Sequence, residues 1–215
     1  MMRKVMAGIV VVFAGSASAE PLVIAALGDS LTQGYGLPAE DGFVPQLQAW
    51  LDDNGADVQL VNAGVSGDTT AGGLSRVGWT LTPDVDGLIV ALGGNDLLRG
   101  LDPAVSRANI EGILGAAQQA EVEVLLVGMN APGNFGPEYK ASFDTLYPEL
   151  SAKYETEFLP SFFQGLSVDG KLPELSQAQE FFQSDRIHPN KQGVAKIVAG
   201  IGPKVLALIE DIKVP

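Results

Sequence analysis

The chain has 215 residues, 46% of them apolar and 18% charged. That is enough to bury one full hydrophobic core, and the balance is not that of a disordered chain. Its 13 bases face 26 acids, a formal charge of −13 with the single histidine neutral, and such a surface repels nucleic acid and anionic lipid. There are no cysteines, so the fold stands on its core without disulfides.

Arg3 and Lys4 precede the apolar run 5–14, and Ser16-Ala17-Ser18-Ala19 supplies the small residues of a signal-peptidase site before Glu20. Residues 1–19 therefore read as a removed signal peptide and residues 20–215 as one domain. The apolar run is far shorter than the roughly 20 residues that span a bilayer. Losing Arg3 and Lys4 leaves 11 bases against 26 acids, a charge of −15. No other segment reads as long and apolar enough to enter a membrane. The mature protein is expected to be soluble, exported, periplasmic in a Gram-negative host, and by default a monomer.

The first predicted strand is Ile24-Ala25-Ala26-Leu27, which stops at Gly28-Asp29-Ser30-Leu31. A buried strand that ends this way presents a hydroxyl at the carboxyl edge of a sheet, where open α/β folds place their sites. The stretch 31–40 is rich in turn formers and reads as loop. Phe43, Leu47, Trp50 and Leu51 recur at helical spacing up to Asn54-Gly55. A short second strand at 58–61 runs into a polar, glycine-rich loop from Asn62 to Thr70. A weaker helix follows through Leu74, Val77 and Leu81, diluted by Gly72, Gly73 and Gly78.

The continuous apolar run 87–92 suits a strand covered on both faces, and it ends at Gly93-Gly94-Asn95-Asp96. Pro103 opens a helix with a stripe of Ile110, Ile113, Leu114 and Ala117. A fourth strand spans 122–127. The segment 130–137 is broken by glycine and proline into loop, with a helix at 139–154 and a short fifth strand at 157–159. Residues 161–182 show no clean period. A last helix from Lys191 carries Val194, Ile197, Val198, Ile201, Val205 and Ile209 on one face, with Pro203 expected to kink it. Strands alternating with helices predict one α/β domain with a mostly parallel sheet.

A serine hydroxyl is nearly inert until a base takes its proton and a third group orients that base. The only histidine is His188, in Asp185-Arg186-Ile187-His188, so a histidine base for Ser30 can be no other residue. Asp185, three positions earlier, can accept the imidazole N–H across one turn and fix the tautomer. Taken alone, this pair also fits a surface histidine beside a chance acid. Acyl transfer further needs donors for an oxyanion, and three successive strand ends offer them: the Ser30 backbone N–H, the Gly67 backbone N–H and the Asn95 amide. Singly, glycines make turns and asparagines cap helices; together, all three converge on one sheet edge. A methyl group at Gly67 is expected to crowd the oxyanion.

Gly28-Asp29-Ser30-Leu31, Gly67, Gly93-Gly94-Asn95-Asp96 and Asp185-Arg186-Ile187-His188 resemble, in order, the four blocks of the SGNH, or GDSL, hydrolase family. The resemblance covers nearly the whole mature chain, and within the family the wording is similar to bacterial arylesterases and to the periplasmic multifunctional thioesterase I/protease I/lysophospholipase group. It implies a flavodoxin-like three-layer α/β/α sandwich with about five parallel strands. It implies Ser30 as nucleophile, His188 as general base, Asp185 as its orienting acid, and an oxyanion hole of Ser30, Gly67 and Asn95. The implied substrates are small-molecule esters and thioesters (aryl esters, acyl-CoA, lysophospholipids), hydrolysed without metal or other cofactor. The loops after Asn95 and from 129 to 139 correspond to those that shape the acyl pocket, and Tyr35, Phe135 and Tyr139 lie in loops at the site's edge.

Three other functions fit the residues less well. A magnesium-dependent aspartyl phosphatase would use Asp29, but its second aspartate and lysine are not evident. A phosphate-binding loop would need a G-x-G-x-x-G run or a Walker lysine. A non-catalytic exported acyl- or lipid-binding protein on the same fold is the remaining alternative.

Overall fold

The computed structural model describes residues 21–168 and 178–213. The signal-peptide expectation for 1–19 lies outside them. Five strands, β1 (Leu22–Gly28), β2 (Val58–Gly64), β3 (Gly87–Ala91), β4 (Glu123–Val127) and β5 (Glu157–Leu159), form one sheet in the order β2-β1-β3-β4-β5. Every pairing is parallel. Parallel strands must be joined by crossovers that cover the sheet faces, so their side chains are buried on both sides. All of β3 is buried, as is β1 from Ile24 onward, whereas the edge strand β2 is largely open.

The long helices are α2 (Phe43–Asp53), α3 (Thr70–Thr80), α5 (Pro103–Gln119), α6 (Pro137–Tyr154) and α7 (Lys191–Lys213). Helices α2 and α7 pack together on one face of the sheet, and α3, α5 and α6 pack in series on the other. This is the three-layer α/β/α sandwich expected from the alternating pattern. Asp102 caps α5 by accepting the Ala104 N–H at 2.9 Å, with Pro103 as its first residue. Helix α7 has the length and apolar composition of a membrane span, contrary to the sequence reading. Its apolar stripe, Ile197, Val198, Ile201 and Val205 among it, is buried within this domain, and the helix runs without a break across Pro203.

Two short helices replace predicted loop. Helix α1 (Ser30–Gln33) starts directly at β1's end, with the Asp29 carboxylate accepting the Leu31 N–H at 3.0 Å and Gly34 closing it in the left-handed region. Helix α4 (Gly94–Leu98) follows β3 without a side-chain cap, its N-cap Gly93 in the left-handed region. Strand β2 extends three residues past its apolar run, because its pairing with β1 continues until Gly28 meets Gly64. Pairing, rather than hydrophobicity, sets that end.

Tyr147, fully enclosed on α6, donates to the Leu92 carbonyl at 2.8 Å, just where the chain leaves β3 for the Asn95 loop. Tyr147→Phe leaves that buried carbonyl without its partner and should cost about 1–3 kcal/mol. Urea unfolding of the two proteins measures this; equal midpoints and slopes would show that the bond contributes nothing.

Candidate active site

Strands β1, β2 and β3 end side by side, Gly28 opposite both Gly64 and Ala91. The loops beyond them therefore open onto one rim, at the point where the strand order reverses direction from β1. Ser30 stands there as the first residue of α1, where backbone N–H groups have no partner within the helix. Gly67 lies in the loop after β2, and Asn95 on α4 after β3.

His188 arrives from the other end of the chain on a small hairpin. Phe182 bridges Pro189 in antiparallel fashion, and the Gln183 N–H donates to the His188 carbonyl at 2.8 Å. Asp185 builds the turn: its Oδ1 accepts the N–H groups of Ile187 at 2.9 Å and His188 at 3.0 Å. Arg186 takes a left-handed φ of 59° inside that turn. The second carboxylate oxygen of Asp185 lies 2.7 Å from His188 Nδ1, and His188 Nε2 lies 2.8 Å from Ser30 Oγ. The same carboxylate thus shapes the backbone and orients the ring. The hydrogen bond from His188, followed by the two backbone N–H groups, pulls Asp185 down to about 2, so it stays ionised across the neutral range.

The oxyanion candidates differ in readiness. No acceptor among the described residues takes the Gly67 N–H. Gly67 has φ 84°, and a Cβ there would meet nothing closer than Arg99 Nη2 at 3.9 Å. A side chain at 67 clashes with no protein atom but is opposed by its left-handed backbone. Asn95 Nδ2 donates to the Asp68 carbonyl at 2.9 Å and, more loosely, to Asp29 Oδ2 at 3.3 Å. Donation to a substrate oxygen requires the longer of these bonds to be exchanged.

Residues not singled out from the sequence hold this rim together. Arg76 on α3 donates to the Gly28 carbonyl at 2.8 Å, to the Ala63 carbonyl at 2.7 Å and to Asp68 Oδ2 at 2.6 Å. One guanidinium thereby fastens the ends of β1 and β2 to the Gly67 loop, using its planar fork of donors. Asp96, fully buried, accepts from the Thr70 N–H at 2.9 Å, the Thr70 hydroxyl at 2.6 Å and the Ser106 hydroxyl at 2.9 Å, tying α4 to α3 and α5. Arg99 donates to the Gly67 carbonyl at 2.8 Å. The sequence signals were an arginine eight positions after Asp68 and an acid inside the Asn95 motif, and neither indicates its partner.

The rim borders a cleft of about 1170 Å³, lined by Ser30, Gly67, Asn95 and His188 and by apolar groups such as Met129, Phe135, Phe163 and Leu166. Tyr35 also lines it; Tyr139 lines a separate groove beside α5. The cleft draws on the 161–182 region as well as on the two loops expected to shape it.

The chain matches the GDSL-like lipase/acylhydrolase family over residues 26–196. It is 36% identical to esterase TesA of Pseudomonas aeruginosa over 194 residues, 90% of this chain and 91% of that protein. It is 33% identical to thioesterase 1/protease 1/lysophospholipase L1 of Escherichia coli (strain K12), covering 82% of this chain and 78% of that one. The crystal structure of AlinE4, an SGNH-hydrolase family esterase, superposes with a TM-score of 0.71 at 39% identity, over 93% of this chain and all of the other. The protein belongs to the GDSL, or SGNH, hydrolase family and is a carboxylic ester hydrolase.

Asp29, beside Ser30 and almost wholly enclosed, is pushed up to about 6. Burial is the main cause, opposed by the hydrogen bonds from Leu31 and Asn95 and by the field of His188. Its folded value lies above its ordinary 3.8, so its contribution to stability is full below about 3.8 and lost as pH rises through about 6. Between pH 5 and pH 8 the wild type should lose about 1–1.5 kcal/mol relative to Asp29→Asn. Denaturant titration of both proteins at the two pH values tests this. A difference that does not vary with pH would contradict it.

Proposed function

We propose that this hydrolase cleaves small-molecule carboxylic esters and thioesters through an acyl-serine intermediate, with Ser30 as nucleophile, His188 as base and Asp185 as orienting acid. The observation that carries this reading is the chain of short contacts Asp185 Oδ2, His188 Nδ1, His188 Nε2 and Ser30 Oγ at the lip of an apolar cleft. A carboxylate on Nδ1 fixes the tautomer whose Nε2 can receive a proton. In the first half-reaction Ser30 Oγ attacks the acyl carbon while its proton passes to His188 Nε2. The carbonyl oxygen takes the negative charge and is held by the N–H groups of Ser30 and Gly67 and by the Asn95 amide.

His188 then delivers its proton to the departing alcohol or thiol. A water molecule, deprotonated in turn by His188, attacks the acyl-serine and frees the acid. The reaction calls on no metal or nucleotide. The printed names of the relatives (esterase, thioesterase, lysophospholipase) support a broad acyl substrate range. The leader-like segment 1–19 supports export to the periplasm as a single 20–215 domain, and the excess of acids makes nucleic acid an unsuitable partner. We take the working form to be a monomer, with no stable membrane insertion.

Hydrolysis of p-nitrophenyl esters from acetate to palmitate should be abolished in Ser30→Ala, and the chain-length profile should separate short-acyl from long-acyl preference. A folded wild type with no activity on any of them would return the binding-protein alternative. Asp185→Asn should keep the fold and lower kcat about 10²- to 10⁴-fold, through loss of the orienting charge and the wrong tautomer; wild-type turnover in that variant would sink the triad.

A further inference from the structure

His188 has partners in the plane of its ring, Asp185 and Ser30, and a third partner over its face. The Tyr35 ring lies with its centroid 4.6 Å from that of the imidazole, the two planes 39° apart. Tyr35 is 52% exposed, so core packing does not hold it there. Its main chain does. The Tyr35 N–H donates to the Ser30 carbonyl at 3.1 Å, which folds the ring back over the nucleophile's own turn.

On the other side, Gln183 Nε2 donates to the Tyr35 carbonyl at 2.8 Å and to the Pro189 carbonyl at 3.0 Å. Together with its N–H on the His188 carbonyl, Gln183 makes two bonds within the base's hairpin and one to the nucleophile's turn. The next residue, Gly36, has φ 76°, and a Cβ there would fall 2.3 Å from Gln183 Oε1. The turn admits the glutamine because position 36 has no side chain.

We propose that Tyr35 is a positioning residue for the base, and that Gln183 holds it in place. This rests on His188 being the base. Two in-plane hydrogen bonds define the ring's plane only while Ser30 keeps its hydroxyl. Once Ser30 is acylated, the hydrogen bond at Nε2 is gone, and the ring is held by Asp185 on one edge and Tyr35 on one face. The same aromatic face lies against the imidazolium formed in each proton transfer, and an aromatic face attracts a cation. The phenol hydroxyl has no part in this, so phenylalanine should serve equally well.

Steady-state kinetics on p-nitrophenyl butyrate, with thermal unfolding of each protein, provide the test. Tyr35→Leu should lower kcat about 2- to 5-fold with KM little changed, while Tyr35→Phe keeps the wild-type kcat. Gln183→Met keeps the side-chain length and removes both amide donors. It should lower kcat to a similar degree, and the double variant should fall no further than Tyr35→Leu alone, because both act through one ring. A Phe variant as impaired as the Leu variant, a change confined to KM, or additive losses in the double variant would each overturn the proposal. If Gln183→Met does not fold, the comparison of Tyr35→Phe with Tyr35→Leu still decides it. Ser30→Ala run alongside separates the two levels. A dead Ser30→Ala with an undiminished Tyr35→Leu removes only the role of Tyr35, whereas an active Ser30→Ala removes the base assignment itself.

Discussion

The parallel pairing of β1 with both β2 and β3 is the constraint on which the rest depends. Gly28 sits opposite Gly64 on one side and Ala91 on the other, so three strands finish at one level. The groups proposed for the chemistry from the N-terminal half leave from that level: the serine two residues past β1, the glycine three residues past β2, the asparagine four residues past β3. A slip of one pair in either ladder would reverse the facing of a whole strand and carry one of these groups off the rim. The Arg76 guanidinium, bonded to the carbonyls of Gly28 and Ala63 and to Asp68, ties two of the ladder ends to the Gly67 loop.

The proposed base is recruited differently. His188 belongs to no strand; it reaches Ser30 on a hairpin whose turn is made by the residue that also orients its ring. Economy of this kind has a consequence for dynamics. Local distortion of the Asp185 turn and misorientation of the imidazole are one event, so the hairpin needs an outside anchor, and Gln183 and Asn190 supply it through bonds to neighbouring carbonyls. Hydrogen bonds dominate at one acid of the site and burial at the other, so the two are shifted in opposite directions. Asp185, at the edge and rich in donors, is held ionised, while Asp29, enclosed behind Ser30, is raised towards neutrality. Two carboxylates within one site are thus set apart by surroundings alone.

The long elements were legible because each carries its own periodic signal. Val90 and its neighbours form an unbroken apolar run, Ile110 to Ala117 a helical stripe, and Pro103 a helix start, and all appear as expected. The short elements were not. A four-residue helix such as α1 has no period to detect, although Asp29 and Gly34 mark its two ends. The last three residues of β2 are polar or small and are strand only because β1 lies beside them.

By itself the sequence determined the family, through an ordered set of motifs, and the reacting groups proposed above: a single histidine, a serine at a strand end and an acid three residues before the histidine. Those are properties of residue type and spacing along one chain. Tertiary structure alone decided which groups meet and in what state. The Asn95 amide is engaged by Asp29 and Asp68, Gly67 takes a left-handed backbone, Asp29 is raised by enclosure, and Tyr35 covers the ring of His188. The contacts of Asn95 and Tyr35 join residues between 27 and 153 positions apart in the chain, and local sequence carries no record of them.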